Sequence, residues 1–328
     1  MNAGFQETIL VVRLGAMGDV LHALPAVASL KKSFPQKKLV WLISSKWAPL
    51  LDANPYVDQL LLLERGSLWC TWRSLSALRP NLAIDLQGLL KSALAARAAR
   101  PERLYGFDRA VAREPLAALL YTHRIHVTGP HRIERNLQLV AQIGARELTH
   151  ESWIPPGVPE DSLPAGDFVL ASPFAGWGSK QWPVASYEEL GRELARRGLR
   201  LVLNVPPGRT REVAAFQNTL VHTSSLAGLI DATRRATAVI GLDSGPLHLA
   251  AALKKPGVAL FGPTDPAQTG PFEAPMIVLR RPHVKTTYKR GSAIDPSLAE
   301  ISAREVADAL EQSLARAKTS LTAPAGSQ

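Results

Sequence analysis

The fold of this chain is decided by the stretch Val239-Ile240-Gly241-Leu242-Asp243-Ser244-Gly245-Pro246-Leu247-His248. The apolar run that ends at Leu242 is typical of a buried parallel strand. An alanine- and leucine-rich helix is predicted to begin at Pro246, because proline is favoured where a first helical N–H would have no partner. The turn between the two therefore places backbone N–H groups at a helix start, which is a favourable position for an anion.

A second turn, Gly262-Pro263-Thr264-Asp265, follows the next predicted strand at the same edge of the sheet. Two neighbouring polar loops of this kind indicate a bound diphosphate, and therefore a nucleotide-activated substrate. Thr264 and Asp265 are expected to hold the second loop by turn capping.

The first turn offers separate positions for the phosphates and for a sugar. We expect Ser244, Gly245 and the helix start to hold the phosphates. His248 either donates to a phosphate oxygen or packs on its helix without contacting a ligand. Because like charges repel, Asp243 is expected to accept hydrogen bonds from sugar hydroxyls.

Short apolar segments alternate with helical segments along the whole chain. Strands are predicted at residues 8–12, 38–43, 60–63, 82–85, 103–106, 168–171, 200–204, 238–242 and 257–261, and a helix at residues 209–217. This alternation predicts an α/β fold with parallel, doubly wound sheets.

A proline-rich segment at residues 153–166 is typical of a linker between two Rossmann-like domains. Open sheets of this class bind ligands outside the carboxyl ends of their strands, so we expect the two sheets to face an interdomain cleft. The predicted domains are residues 1–155 and 156–300. Residues 301–318 are predicted to be an amphipathic helix that packs back toward the N-terminal domain, and residues 319–328 a disordered tail.

Composition favours a cytoplasmic protein with ordinary buried cores. Of the 328 residues, 46% are hydrophobic, and no apolar run approaches the roughly 20 residues of a membrane helix. The first residues lack a basic segment, and Arg13 interrupts the first apolar run, so no signal peptide is expected. A single cysteine excludes an internal disulfide and a cysteine-based metal cluster.

The chain has a net charge of +10, and its Arg and Lys residues are concentrated in one part of the N-terminal half, where acidic residues are fewer. The cations there are Lys91, Arg97, Arg100, Arg103, Arg109, Arg113, Arg124, Arg132 and Arg135. Such a region attracts phosphates of nucleic acid, of anionic lipid or of a phosphorylated acceptor, or it is simply a solvated basic surface. No stacking motif or zinc finger accompanies it, so we expect no nucleic-acid partner.

Two further loops carry candidate functional side chains. Gly15-Ala16-Met17-Gly18-Asp19 follows the first strand but lacks the dinucleotide-binding glycine pattern. Asp19 is either a helix N-cap or a general base. A carboxylate that a helix start keeps ionised can still deprotonate an alcohol whose acidity develops in the transition state.

Lys180 lies in the glycine- and serine-rich loop 174–183, where it either meets a phosphate as a point charge or is solvated. Trp182-Pro183 is expected to anchor this loop by packing. The histidines are scattered and no paired carboxylates have metal-ligand spacing, so we expect neither a metal nor a cofactor. Lys180 and a helix start can stabilise a leaving diphosphate without Mg²⁺.

These motifs, taken together, resemble those of glycosyltransferase family 9. The resemblance rests on residues 17–25, Lys180-x-Trp182-Pro183, Asp243-Ser244-Gly245-x-x-His248 and residues 262–265, in the family's order. Residues 84–92 and 113–117 are similar to acceptor-side segments. Within the family, the chain is most similar to the lipopolysaccharide heptosyltransferases of type I.

The resemblance implies a GT-B fold and an inverting, metal-independent transfer of heptose from ADP-heptose to the inner Kdo of Kdo2-lipid A. The N-terminal domain would bind the acceptor and the C-terminal domain the donor. It implies a position at the inner face of the cytoplasmic membrane, with the basic region on an anionic surface. An acceptor of the second-heptose type, a GT-B nucleotide-sugar 2-epimerase and a basic adaptor are the alternatives.

Individual roles are carried over by the same resemblance. Asp19 matches the general base. The donor-binding residues would be Lys180, Glu212, Asp243, Ser244, Gly245 and His248, and the acceptor-binding residues Gly18, Lys91, Arg113 and Arg135. Relatives have an acidic cluster for the adenosine ribose where this chain has Glu212 alone.

Overall fold

Two units, Met1–Pro155 and Pro156–Gln328, make up the computed structural model, which describes residues 7–64, 68–160 and 163–322. Each unit is built around its own six-stranded parallel sheet. Among the described residues, none of the helices combines the length and the apolar character that crossing a bilayer requires.

The first sheet has the strand order β3-β2-β1-β4-β5-β6. Its strands are β1 (Thr8–Val12), β2 (Lys38–Ser44), β3 (Gln59–Leu63), β4 (Leu82–Asp85), β5 (Arg103–Phe107) and β6 (His123–Ile125). The helices of this unit are α1 (Met17–Leu21), α2 (Leu24–Ser33), α3 (Leu68–Leu78), α4 (Leu90–Ala98) and α5 (Arg132–Gln142), with 3-10 helices at Ser45–Leu51 and Pro115–Leu120. The central β1 is apolar from Ile9 to Val12 and buried over the same residues, as expected of a strand with helices on both faces of its sheet.

The second sheet has the order β12-β11-β10-β7-β8-β9. Its strands are β7 (Phe168–Ala171), β8 (Arg200–Asn204), β9 (Thr219–His222), β10 (Ala238–Leu242), β11 (Gly257–Leu260) and β12 (Met276–Leu279). The helices are α6 (Val184–Arg196), α7 (Leu226–Arg235), α8 (Gly245–Ala252), α9 (Pro266–Thr269), α10 (Pro296–Ala299) and α11 (Ala303–Thr322), with 3-10 turns at Gly178–Lys180 and Thr210–Glu212.

The last helix, α11, ends at Thr322 rather than at residue 318, and within the second unit it contacts α6, β11 and β12. The reason is that its buried side chains, among them Val306 and Leu310, join the core of the second sheet. The hydroxyl of Ser313 accepts from the N–H of Gly257 at 2.7 Å and donates to the carbonyl of Pro275 at 2.6 Å. The helix continues to Thr322, and the rest of the predicted tail, residues 323–328, lies outside the described residues.

The predicted α/β class with parallel, doubly wound sheets is confirmed. All nine predicted strands are present, with ends within one residue of those expected. The three strands that were not predicted, β6, β9 and β12, are edge strands whose side chains are largely exposed or half-buried, so they lack a clear apolar run.

The predicted helix at residues 209–217 is wrong, because only the turn Thr210–Glu212 is helical there. Within that segment Val213 is the one fully buried side chain, so a helix would have no apolar face to pack against the sheet.

Each sheet has one place where the direction of strand addition reverses. This place lies between β1 and β4 in the first sheet and between β10 and β7 in the second. Loops that leave neighbouring strands in opposite directions open a crevice at their carboxyl ends, where sheets of this class bind ligands. Asp19 follows β1 in the first sheet, and Lys180 and Asp243 follow β7 and β10 in the second.

Candidate functional site

In the first unit, Asp19 lies in the first turn of α1 and is buried against three arginines. Arg13 Nη2 lies 2.8 Å from its Oδ1, and Arg113 Nη2 lies 3.0 Å from the same oxygen. Arg132 also donates to Oδ1. Ala16 occupies the N-cap position of α1, so the alternative that Asp19 caps the helix is wrong.

The arginines determine the protonation state of Asp19. Burial raises the pKa of this carboxyl group, whereas Arg13 and Arg132 lower it, and the net pKa lies below the usual value of an aspartate. Asp19 is therefore ionised at neutral pH. One carboxylate among three guanidinium groups leaves a surplus of positive charge around it.

Arg13 connects the two loops at the strand reversal of the first sheet. It follows β1 directly and donates to the carbonyl of Leu86, just after β4. The N–H of Leu14 donates to Oε1 of Gln87 at 2.8 Å. These contacts fix Arg13, and through it Asp19, against the end of β4. Arg13 was not predicted to be a site residue, although it stands out in the sequence as a lone charge between an apolar strand and Gly15.

The end of β4 is itself held by a buried carboxylate. Asp85 accepts from the N–H of Gln87 and the hydroxyl of Ser92, both at 2.8 Å, and from the hydroxyl of Tyr121 at 2.7 Å. Burial raises the pKa of Asp85. Because its partners are groups of the same fold, Asp85 positions the loop rather than a substrate.

The predicted acceptor residues are only partly brought together. Gly18 is buried beside Asp19 in α1, and Arg113 contacts Asp19 directly. Lys91 is exposed on α4, and Arg135 donates through Nε to the carbonyl of Gly129 at 2.6 Å. In the described ranges, no hydrogen bond or ion pair joins Lys91 or Arg135 to Asp19.

In the second unit, Asp243 is the centre of a buried polar cluster. Its Oδ2 lies 2.5 Å from Nζ of Lys180 and accepts from Thr264 Oγ1 at 2.7 Å. Its Oδ1 accepts from Thr269 Oγ1 at 3.1 Å and lies 3.5 Å from Nε2 of His248. The cluster therefore joins the loops that follow β7, β10 and β11.

The charge of Asp243 is set by these partners. Burial raises the pKa of its carboxyl group, but the lowering effect of His248 and Lys180 is larger. The net pKa therefore lies far below the usual value of an aspartate. The alternative of a freely solvated Lys180 is wrong, because its ammonium group is paired and lies 4.4 Å from the ring centroid of Trp177. An ammonium group has three donors, so contact with Asp243 leaves others for a ligand.

The start of α8 has the features expected of an anion site. Ser244 occupies the N-cap position, but its side chain caps no backbone N–H. Its hydroxyl oxygen is buried and makes no hydrogen bond to the described residues. A Cβ on Gly241 would lie 2.8 Å from Cβ of Leu247, so this glycine allows α8 to pack closely on β10.

Turn capping was predicted for both Thr264 and Asp265 in the turn after β11, and the structure shows it for one of them. Asp265 accepts from the N–H of Ala267 at 2.9 Å and caps α9, which confirms turn capping for this residue. For Thr264 the prediction is wrong, because its hydroxyl donates to Asp243. Trp182 is buried and donates to the carbonyl of Ile301 at 2.9 Å, as expected of an anchor for the Lys180 loop.

Glu212 is an exposed residue in the loop after β8 and pairs with Arg209. Arg209 Nε and Nη2 lie 2.5 Å and 2.7 Å from its two carboxylate oxygens. Arg209 lowers the pKa of Glu212, and its guanidinium lies 3.6 Å from the ring centroid of Phe174. No contact among the described residues joins Glu212 to Asp243.

Comparison with known proteins identifies relatives of this chain. The model of the family described as glycosyltransferase family 9 (heptosyltransferase) matches residues 68–293. Lipopolysaccharide heptosyltransferase 1 of Pseudomonas aeruginosa is 33% identical in an alignment 293 residues long that covers 80% of this chain and 81% of the relative. Lipopolysaccharide heptosyltransferase 1 of Escherichia coli K12 is 29% identical in an alignment 321 residues long that covers 89% of this chain and 99% of the relative.

A solved structure gives the same result for the fold. The structure described as E. coli heptosyltransferase WaaC with ADP superimposes with a TM-score of 0.76 at 26% identity, covering 93% of this chain and 99% of that chain. The prediction of a GT-B fold built from two Rossmann-like sheets is thereby confirmed.

Proposed function

The chain belongs to glycosyltransferase family 9, and we propose that it transfers L-glycero-D-manno-heptose from ADP-heptose to the inner Kdo of Kdo2-lipid A. Relatives named lipopolysaccharide heptosyltransferase 1, which match most of the chain, support this choice of substrates. In this proposal the first unit binds the acceptor and the second unit binds the donor.

The observation that carries the proposal is an ionised Asp19 in contact with three arginines. A hydroxyl group of Kdo attacks the anomeric carbon of the heptose, and its proton passes to the carboxylate of Asp19. The three cations contact Oδ1, which leaves Oδ2 to accept this proton. A carboxylate of low pKa is a weak base, so it takes the proton as the new C–O bond forms and the alcohol becomes acidic.

The second unit is suited to stabilise the leaving group. As the bond between the anomeric carbon and the diphosphate breaks, negative charge grows on the phosphate oxygen. Lys180, the hydroxyl of Ser244 and the N–H of Gly245 can neutralise or hydrogen-bond this charge. Asp243 acts mainly by holding Lys180 and Thr264, because its two oxygens already accept from four side chains.

The surplus positive charge near Asp19 suits an anionic acceptor. Arg13, Arg113 and Arg132 together exceed the charge of Asp19, and Kdo is a sugar acid that carries a carboxylate. Attraction between these groups would hold the acceptor with its hydroxyl near Asp19. Because the acceptor is a lipid, we also propose that the protein acts as a peripheral protein at the inner face of the cytoplasmic membrane.

The decisive test is a product assay with ADP-heptose and Kdo2-lipid A, read by mass spectrometry. We expect one added heptose, no comparable product from GDP- or UDP-sugars, and an unchanged rate with a metal chelator. Transfer only to an acceptor that already carries one heptose would replace this proposal with a second-heptose activity. Isomerised sugar without an acceptor would indicate an epimerase.

A further inference from the structure

Five large apolar side chains are exposed on three helical elements of the first unit. This Leu/Trp surface consists of Trp72 on α3, Leu90 and Leu94 on α4, and Leu116 and Leu119 on the 3-10 helix Pro115–Leu120. Between 39% and 58% of each residue is exposed. A spacing of four residues in an α-helix, or of three in a 3-10 helix, places each leucine pair on one side of its element.

The three elements cover the same face of the first sheet. Their inner side chains, such as Leu75, Ala93 and Ala117, pack with Val12 in one buried cluster. In addition, α3 contacts α4, and α4 contacts the 3-10 helix. The outward sides of the three elements therefore form one continuous surface.

The same elements carry only positive charge. Arg73 on α3 and Lys91 and Arg97 on α4 are exposed, and the three elements contain no Asp or Glu. Glu114 lies just before the 3-10 helix and accepts from the N–H of Leu90 at 2.6 Å. Its neighbour Arg113 reaches Asp19, so the Leu/Trp surface adjoins the candidate catalytic group.

We propose that the Leu/Trp surface docks on an anionic lipid membrane. Leucine and tryptophan side chains enter the interfacial region of a bilayer, and neighbouring Lys and Arg residues contact lipid phosphates. A second copy of the chain is a poorer occupant, because a two-fold contact would place the three cations opposite an identical set. The inference rests on the proposed function in one respect, namely that the acceptor is a lipid.

The test measures how the full chain partitions onto sedimented vesicles. The wild type is expected to bind phosphatidylglycerol/phosphatidylethanolamine vesicles, less strongly at high salt, and to bind pure phosphatidylcholine weakly. The variant Leu94→Gln/Leu119→Gln should bind the anionic vesicles about tenfold or more weakly, because two apolar side chains no longer enter the lipid. Arg73→Gln/Arg97→Gln should weaken binding and reduce its salt dependence.

The matched control is Leu148→Gln/Leu220→Gln, which changes two equally exposed leucines outside the surface. It should bind vesicles like the wild type, and unchanged urea midpoints would show that both leucine variants are folded. Any of three results would overturn the proposal. They are an equal loss of vesicle binding in the control and test variants, full binding by Leu94→Gln/Leu119→Gln, and a wild type that does not prefer anionic vesicles. A wild-type dimer that this double variant separates would assign the surface to a second copy.

A separate measurement distinguishes failure of the proposed function from failure of the docking proposal. Heptose transfer to detergent-solubilised Kdo2-lipid A needs no bilayer, so Leu94→Gln/Leu119→Gln should retain it together with its affinity for ADP-heptose. Absence of such transfer in the wild type would contradict the proposed function and leave the vesicle result to decide the docking surface.

Discussion

Nζ of Lys180 lies 2.5 Å from Oδ2 of Asp243, although 63 residues separate them in the chain. The pair connects the loop after β7 with the loop after β10, which are the strands at the reversal of the second sheet. A buried anion thus holds a cation at the point where a donor diphosphate is expected to bind.

Replacing Lys180 with methionine should weaken both stability and donor binding. Lys180→Met leaves Asp243 buried without the ammonium group that lies 2.5 Å from it, so the free energy of unfolding should fall by about 3 kcal/mol. The dissociation constant for ADP-heptose should rise about tenfold to a hundredfold, because a charged contact to phosphate is lost. Urea unfolding and calorimetry measure the two effects. Lys254→Met, at an exposed pair with Glu273, is the control and should change neither.

The stability defect of Lys180→Met should depend on pH. In the wild type the folded-state pKa of Asp243 is lowered, so the ionised carboxylate contributes stability above its unfolded pKa and loses it as the pH falls. Without Lys180 the folded-state pKa is higher, and the variant loses less stability on acidification. The difference in unfolding free energy between the two proteins should therefore narrow as the pH falls through the folded-state pKa of Asp243 in the variant. A difference that stays constant from neutral pH to pH 3 would contradict the assigned cause.

Asp19→Asn should remove the proton acceptor while the donor site stays intact. Transfer should slow by about a hundredfold to ten-thousandfold, the usual contribution of general base catalysis. The affinity for ADP-heptose should not change, because Asp19 belongs to the first unit. Asp108→Asn, at a half-buried aspartate paired with His126, serves as the control in the same assay. Equal turnover of Asp19→Asn and wild type would remove Asp19 from the role of base.

Thr264→Val tests whether Asp243 needs its hydroxyl partner. The buried hydroxyl of Thr264 donates to Asp243 at 2.7 Å, and its loss should lower the unfolding free energy by about 1–3 kcal/mol. Thr237→Val removes a similar bond to Asp167 at an exposed position and should cost less than about 0.5 kcal/mol. Urea midpoints that fall equally in the two variants would show that burial of the Asp243 cluster carries no special weight.

The sequence predicted the central strands and the loops that follow them, because buried parallel strands are apolar throughout and end in polar turns. Asp19 and Asp243 could be singled out for the same reason. The pairing of these aspartates with other side chains could not be predicted: Arg13, Arg113 and Arg132 come from three separate segments, and nothing local to any of them indicates a shared carboxylate. The same holds for Thr264, whose position after a turn suggested capping. The edge strands β6, β9 and β12 were missed because most of their side chains are exposed or half-buried.

The hydroxyl of Ser313 has a consequence for how the chain folds during its synthesis. It bridges Gly257 and Pro275 from a helix that is translated after every strand of both sheets. The first unit has all its strands and helices by Gln142 and can fold while the ribosome is still adding residues. The second unit lacks this bridge until α11 emerges, so this unit should reach its final stability only after that helix has been translated.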